Sequence, residues 1–470
     1  MKNFCKLFAG LFLVVSFASC SSNDNIVKEI KIGLRNDNQL KIQMDLVTTS
    51  AAEAYAEYWL GNDDKSEKFI SPTSKNGTQH SLILCNIIAD TTYYYHIVTV
   101  QDGKKTIGKT HDFKSPQLPM WMQEQFKYSC ISPEKLPSVF KSGFMLLNKR
   151  ENPGISFIVD YKGRIRWYHM VNDMGTKVSH FTDDKTILSI LGTKADSTSY
   201  GSEILEVNLL GDTVAHVKKG QGDFKFTIHH EILRNSKHQL TTLFVDKRLM
   251  DLSAVGGSKA DTVTGDGIVV MDDNGKKISQ WSVFDVMDPL KDPKLMTTKK
   301  DWMHANSLNF DSDGNYIISF YNNGQIWKVD AKTGAVIWKF GRGGTFTMPS
   351  NCDFTQAHAV HINKFGSLMF FDNGVEKKLS EVFAVNLNEA AKTAQVAINI
   401  KLPEKIYNDR MGSAYMINDT SVLCCSSKRH IAVLATTKGD LLWTLEAAFP
   451  SYRMEFMPKE KLAPFISSIE

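Results

Sequence analysis

Val329-Asp-Ala-Lys-Thr-Gly334-Ala-Val-Ile-Trp338 places a turn glycine four residues ahead of a tryptophan, between two apolar runs. The same pairing stands in Ile158-Val-Asp-Tyr-Lys-Gly163-Arg-Ile-Arg-Trp167 and in Ala435-Thr-Thr-Lys-Gly439-Asp-Leu-Leu-Trp443. Weaker copies are Glu206-Val-Asn-Leu-Leu-Gly211-Asp-Thr-Val214, Val270-Met-Asp-Asp-Asn-Gly275-Lys-Lys-Ile-Ser-Gln-Trp281 and Ala384-Val-Asn-Leu-Asn-Glu-Ala-Ala-Lys-Thr-Ala394. Six copies at a period of roughly 50 to 60 residues suit a four-stranded blade with its loops. A lone blade leaves both sheet faces wet, so closing six of them into a ring supplies the core. The sequence therefore predicts an all-β chain whose residues 120–470 form a six-bladed β-propeller.

Upstream, Leu40-Lys-Ile-Gln-Met-Asp-Leu46 alternates apolar and polar residues, and Tyr93-Tyr-Tyr-His-Ile-Val-Thr-Val100 reads as another strand. Asp102-Gly103 is a hairpin signal, because a type I′ turn needs positive φ at both central residues. These features predict a small β-sandwich over residues 29–116, resembling a fibronectin or immunoglobulin-like module, with Pro116 and Pro119 marking a linker.

The chain starts with a basic Met-Lys-Asn-Phe-Cys-Lys, an apolar run from Leu7 to Val15, and Ala18-Ser19-Cys20. That run is too short for a bilayer span and reads as a signal peptide over residues 1–19. Cys20 resembles the cysteine of a bacterial lipobox, which is acylated and becomes the mature N-terminus, with residues 20–28 as a tether. The expected location is the cell envelope of a Gram-negative bacterium, on the periplasmic or surface side, with the membrane reached through the lipid. The 55 basic and 51 acidic residues nearly cancel and form no basic stripe, which argues against a nucleic-acid partner. Beyond Cys5 and Cys20 there remain Cys85, Cys130, Cys352, Cys424 and Cys425, too irregularly spaced for a disulfide framework. Buried free thiols are expected, with room for two bridges at most.

Three histidines recur in similar frames. His230 lies in His229-His230-Glu231, His304 in Asp301-Trp302-Met303-His304-Ala305-Asn306, and His358 in Gln356-Ala357-His358-Ala359-Val360-His361. Each precedes a turn and an apolar strand, so three successive blades can aim imidazoles at one spot. Such a cluster suits zinc binding or, alternatively, a neutral imidazole nucleophile beside protonated neighbours; no H-E-x-x-H or comparable metal motif is present.

These segments, with Ile326-Trp-Lys-Val-Asp330-x-x-Thr-Gly334, Phe371-Asp372-Asn373-Gly374 and Gly412-Ser413-Ala414, resemble the bacterial arylsulfotransferases that work without a nucleotide donor. The resemblance covers about residues 120 to 450. It implies sulfuryl transfer from a phenolic sulfate ester to a phenol through an N-sulfohistidine, with small-molecule substrates and no cofactor. His358 falls on the nucleophile, His304 and His230 on the other catalytic histidines, and Asn306, Tyr321 and Ser413 on the substrate side. Where the family carries arginine, Tyr321 follows Ser319-Phe320 here, and a phenol offers one neutral hydrogen bond in place of a cationic fork. A compensating charge is then expected from Arg342 or Arg410, both of which also read as solvated loop residues. The alternatives are a propeller that binds sulfated or phenolic ligands or a partner protein without turnover, and a zinc hydrolase.

Overall fold

The computed structural model describes residues 26–35, 38–61, 66–196 and 199–462. The leader and Cys20 lie outside the described residues. Six antiparallel sheets follow one another around a ring. Blade 2 is built from Gly175–Phe181, Thr186–Gly192, Glu203–Asn208 and Thr213–Lys218, from the innermost strand outward. Blade 3 begins with Ile228–Arg234, blade 4 with Ala305–Phe310, blade 5 with Ala357–Ile362 and blade 6 with Ser413–Met416.

The ring is closed twice. Phe126–Cys130, from the start of the propeller, pairs with Leu441–Ala447 as the outermost strand of blade 6. Met454–Met457, from its end, pairs with Phe144–Lys149 as the innermost strand of blade 1.

The glycine–tryptophan repeat is the hairpin between the third and fourth strands of a blade, and its physical role is to join neighbouring blades. Gly163, Gly211, Gly275, Gly334 and Gly439 all adopt positive φ at that turn. The indole of Trp167 in blade 1 donates to Leu209 O of blade 2 at 2.8 Å, Trp281 in blade 3 to Gly334 O of blade 4 at 2.9 Å, and Trp443 in blade 6 to Tyr161 O of blade 1 at 2.8 Å. Each tryptophan thus fastens its blade to the repeat turn of the next. Trp338 in blade 4 is equally buried, but its Nε1 has no partner. The turn it would meet is in the 384–394 copy, which has no glycine.

The N-terminal module spans Val27–Lys114. Its seven strands are hydrogen-bonded together through one 23-residue strand, Asn38–Leu60. The first half of that strand pairs with Val27–Arg35 and Ser74–Leu84, the second with Lys68–Ile70 and Thr92–Gln101. All seven strands are thus hydrogen-bonded into one sheet, continued through this long shared strand. Asp102 and Gly103 have φ of 50° and 77°, as the hairpin requires. The module rests on blades 1 and 2: Gln39 N donates to the Tyr168 hydroxyl at 2.9 Å and Arg166 Nη2 to Asn86 O at 3.3 Å. None of the five cysteines described is in a disulfide, and Cys85, Cys352, Cys424 and Cys425 are buried.

Candidate active site

The innermost strands position the three histidines through a shared distortion. His230 and His304 have φ of 59° and 55°, and Ala359, next to His358, has 51°. Non-glycine residues in the left-handed region are costly and tend to persist where surrounding structure holds them at functional sites. Strand pairing skips a step at the same places, between His229 and Ile232, Ala305 and Ser307, and His358 and His361. These bulges turn side chains out of the sheet alternation and toward one another. The rings of His230 and His304 lie 5.1 Å apart, and Tyr321 sits between His304 at 5.5 Å and His358 at 5.6 Å.

His358 is fully enclosed. Burial, then the charges of His304 and Arg453, lower its pKa to about 3, so the ring is neutral at ordinary pH. The amide Nδ2 of Asn306 lies beside the ring, 3.3 Å from Nδ1 and 3.2 Å from Nε2 of His358, and so does not distinguish the two nitrogens. The Met411 N–H donates to Nε2 at 3.3 Å, which makes Nε2 the nitrogen that carries the lone pair. Asn306 is itself fixed by Ser319 Oγ, which donates to its Oδ1 at 2.5 Å, and by the Tyr452 hydroxyl on its carbonyl at 3.0 Å.

The Phe371-Asp372-Asn373-Gly374 motif holds the loops on either side of the nucleophile. Asp372 Oδ1 accepts the N–H groups of Thr355, Gln356 and Gly374 at 3.1, 3.0 and 3.1 Å, which fixes the approach to His358. Asn373 Nδ2 donates to Asn408 O at 2.7 Å and Met411 O at 2.8 Å, which fixes the loop that supplies the Met411 N–H.

His304 has the opposite electrostatics. Burial opposes its charge, but Asp301 Oδ2, accepting from Nδ1 at 2.7 Å, and the nearby Asp266 outweigh burial and raise its pKa above 6.5. His230 is pushed well below 6.5 by burial and then by His229, His304, His358 and Arg150. The cluster therefore combines a histidine whose carboxylate neighbours favour the protonated ring with histidines whose burial favours the neutral one, a division suited to acid–base and nucleophilic roles.

Sequence reasoning passed over several participants. His229 lies against His230, with 2.8 Å between their Nδ1 atoms, and its Nε2 is 3.3 Å from Asp266 Oδ1. Burial raises the Asp266 pKa to about 7. Beneath the cluster, Glu231 Oε2 holds Arg453 Nη1 at 2.5 Å and its Oε1 lies 2.5 Å from His180 Nε2. The acidic residue beside the His229-His230 pair was the available signal for this network; Arg453 had none.

Other expected residues take different places. Arg342 is exposed and paired with Asp353 at 2.7 Å and Glu376 at 2.9 Å, and Arg410 is exposed beside Asp409. Both belong to surface ion pairs, so the cations in contact with the cluster are Arg150 and Arg453. The Tyr321 hydroxyl donates to Asp409 O at 2.8 Å, and burial pushes its pKa up to about 12, leaving a neutral phenol. Ser413 joins blades 6 and 1, accepting from Met454 N at 3.2 Å, and does not contact the histidines. Among the described residues no group of three His, Cys, Asp or Glu side chains is placed to hold a metal ion.

A six-bladed ring whose inner strands gather histidines of opposed protonation preference defines a propeller of the histidine-centred kind. The family model for Arylsulfotransferase (ASST) matches residues 131–441, and the chain belongs to that family. Aryl sulfotransfer between small aryl sulfates and phenols is accordingly its general function. No curated protein matches the chain. Among solved structures, a protein of unknown function from Bacteroides caccae is 8% identical, covering 67% of this chain and 99% of its own, with a TM-score of 0.43. Virginiamycin B lyase from Staphylococcus aureus is 9% identical, covering 68% and 99%, with a TM-score of 0.33.

Proposed function

We propose that His358 is the sulfuryl carrier of a two-step transfer. Its neutral Nε2, released from the long Met411 N–H bond, attacks the sulfur of an aryl sulfate, forming the S–N bond as the S–O bond to the aryl group breaks. The departing phenolate has a conjugate acid of pKa about 10, and His304, already protonated, supplies the proton. In the second step an acceptor phenol gives its proton back to His304 as its oxygen attacks sulfur, and the S–N bond breaks. Before it gives up its proton, the charge of His304 stabilises the sulfuryl oxygens and keeps its neighbour His358 unprotonated; after the first step the neutral ring is the base that the second step needs.

The observation that carries this reading is the pairing of a buried, neutral His358, oriented by Asn306 and the Met411 N–H, with a His304 whose carboxylate neighbours favour the protonated ring. Asn306 acts on the nucleophile, in place of the expected contact to sulfuryl oxygens. Incubation with p-nitrophenyl sulfate and phenol is expected to release nitrophenol in an acceptor-dependent, ping-pong manner, with one sulfuryl group trapped on His358 when acceptor is omitted. Full activity in His358→Ala, or continued release beyond one equivalent of nitrophenol without acceptor, rules the scheme out.

The leader and Cys20 support placing this reaction in the cell envelope, on a lipid-anchored chain. Cys20→Ser is expected to move the protein from the membrane fraction to the soluble one; unchanged fractionation refutes the anchor.

A further inference from the structure

The bulge that presents the histidines in blades 3 and 5 and Asn306 in blade 4 also occurs in blade 2, where pairing skips from Thr176 to Val178. The residue presented there is Lys177. It is only 7% exposed, and among the described residues no hydrogen bond or ion pair to its ammonium is present. Two paired glycines make its berth: a Cβ on Gly192 would stand 2.4 Å from Lys177 Cε, and one on Gly175 would stand 3.5 Å from its Nζ and 1.9 Å from Arg150 O. Neither glycine has positive φ, so space is what calls for glycine at both positions.

Lys177 and the 5%-exposed Arg150 form the floor of a cavity of about 600 Å³, with Lys194, Glu151 and Asp196 on its walls. Lys194 and Glu151 are exposed, and Asp196 is engaged by the N–H and hydroxyl of Thr193 at 2.7 and 2.9 Å. The depth of the cavity is cationic. Its floor is also a wall of the histidine cluster. Arg150 Nη1 lies 2.7 Å from Met411 Sδ, in the residue whose N–H reaches His358, and its guanidinium covers the Tyr452 ring at 5.8 Å, itself 5.8 Å from His230.

A largely buried ammonium without a carboxylate in direct contact is unfavourable unless an anion completes it. Burial, followed by the charge of Arg150, lowers the pKa of Lys177 and outweighs the more distant charges of Asp196 and Glu151, and an anion entering into direct contact opposes that lowering. We infer that this cavity is an anion subsite of the transfer site, selecting aromatic substrates that carry a carboxylate remote from the reacting oxygen. The inference rests on the sulfuryl-transfer reading for its orientation, but not for the binding itself.

The test compares two acceptors of similar length, para-hydroxyphenylpropionate and para-propylphenol, by calorimetric titration of the full chain and by transfer from p-nitrophenyl sulfate. The acid is expected to bind about tenfold tighter than the neutral phenol, and Lys177→Gln to remove that preference while Lys177→Arg retains it. Equal binding of the two by the unmodified protein, or a preference that survives Lys177→Gln, overturns the subsite. A Lys177-dependent preference without any transfer upholds the subsite and refutes the transfer scheme instead.

Discussion

The Nδ1 atoms of His229 and His230 stand 2.8 Å apart, so one ring must donate the proton that the other accepts. Both rings are neutral, His229 being lowered to about 3 by burial and by His304. Asp266 lies 3.3 Å from the far nitrogen of His229 and its charge helps to raise His304. Replacing Asp266 with Asn removes that support. Because the acid form of His304 is lost as pH rises through its raised pKa, the alkaline limb of the kcat profile should move to lower pH in Asp266→Asn. A profile superimposable on that of the unmodified enzyme would show that Asp266 does not act through His304.

Acid should unfold this protein through its histidines. His229 and His358 have folded pKa values of about 3, against about 6.5 for an unfolded histidine, and His230 is lowered as well. The unfolded chain therefore binds more protons below pH 6.5, so their contribution to stability is complete above pH 6.5 and declines as pH falls toward 3. Each group contributes a slope of about 1.4 kcal/mol per pH unit within that window. Asp266, raised to about 7, works in the opposite sense between about pH 3.8 and 7, but it is one group against three. Denaturant titrations at pH 7 and pH 5 should show the loss, and His229→Gln should reduce its pH slope. A pH-independent midpoint would contradict the neutral, buried state of these rings.

Single removal of Arg453 should damage the fold more than removal of the whole pair. Arg453 and Glu231 are buried together, and Arg453→Met would strand the carboxylate between His180 and an apolar neighbour. A cost of about 3–5 kcal/mol is expected for the single variant, with part of it regained in Glu231→Gln, Arg453→Met. Urea unfolding of the single and double variants measures the coupling, and strictly additive losses would dismiss the pair.

The tryptophans should differ in value although all are buried. Trp443→Phe breaks the 2.8 Å bond to Tyr161 O between the last blade and the first and is expected to cost about 1–2 kcal/mol beyond the change in packing. Trp338→Phe removes an Nε1 that already lacks a partner and should cost less. Thermal unfolding of the two variants side by side decides this, and equal losses would refute the role assigned to the staple.

The ring was legible because its repeat is enforced locally: a glycine with positive φ marks five of the six turns, and an indole bonds to the next blade's turn at three of the junctions described. The strongest copies, at Gly163, Gly334 and Gly439, are true strand-three to strand-four hairpins. The copy at 384–394 was faint for a physical reason, since no tryptophan from blade 4 bonds to it. The histidines in phase were legible through the same periodicity. Arg150, Lys177 and Arg453 were not, because blades 1 and 2 present cations where blades 3 to 5 present His and Asn, and a lysine or arginine in a strand carries no motif. The geometry of the N-terminal module escaped because alternation identifies strands but not that Asn38–Leu60 is one continuous strand serving both halves of a sheet.

The double closure of the ring has a consequence for the life of the chain before it is finished. Tyr452 and Arg453, which hold Asn306 from below, immediately precede the last strand, and that strand completes the first blade. A chain still being made has every candidate catalytic histidine in hand, yet lacks the segment that holds the Asn306 carbonyl. The setting of Asn306 beside His358 is thus completed only when residues 452–457 have been made and have docked on the first blade.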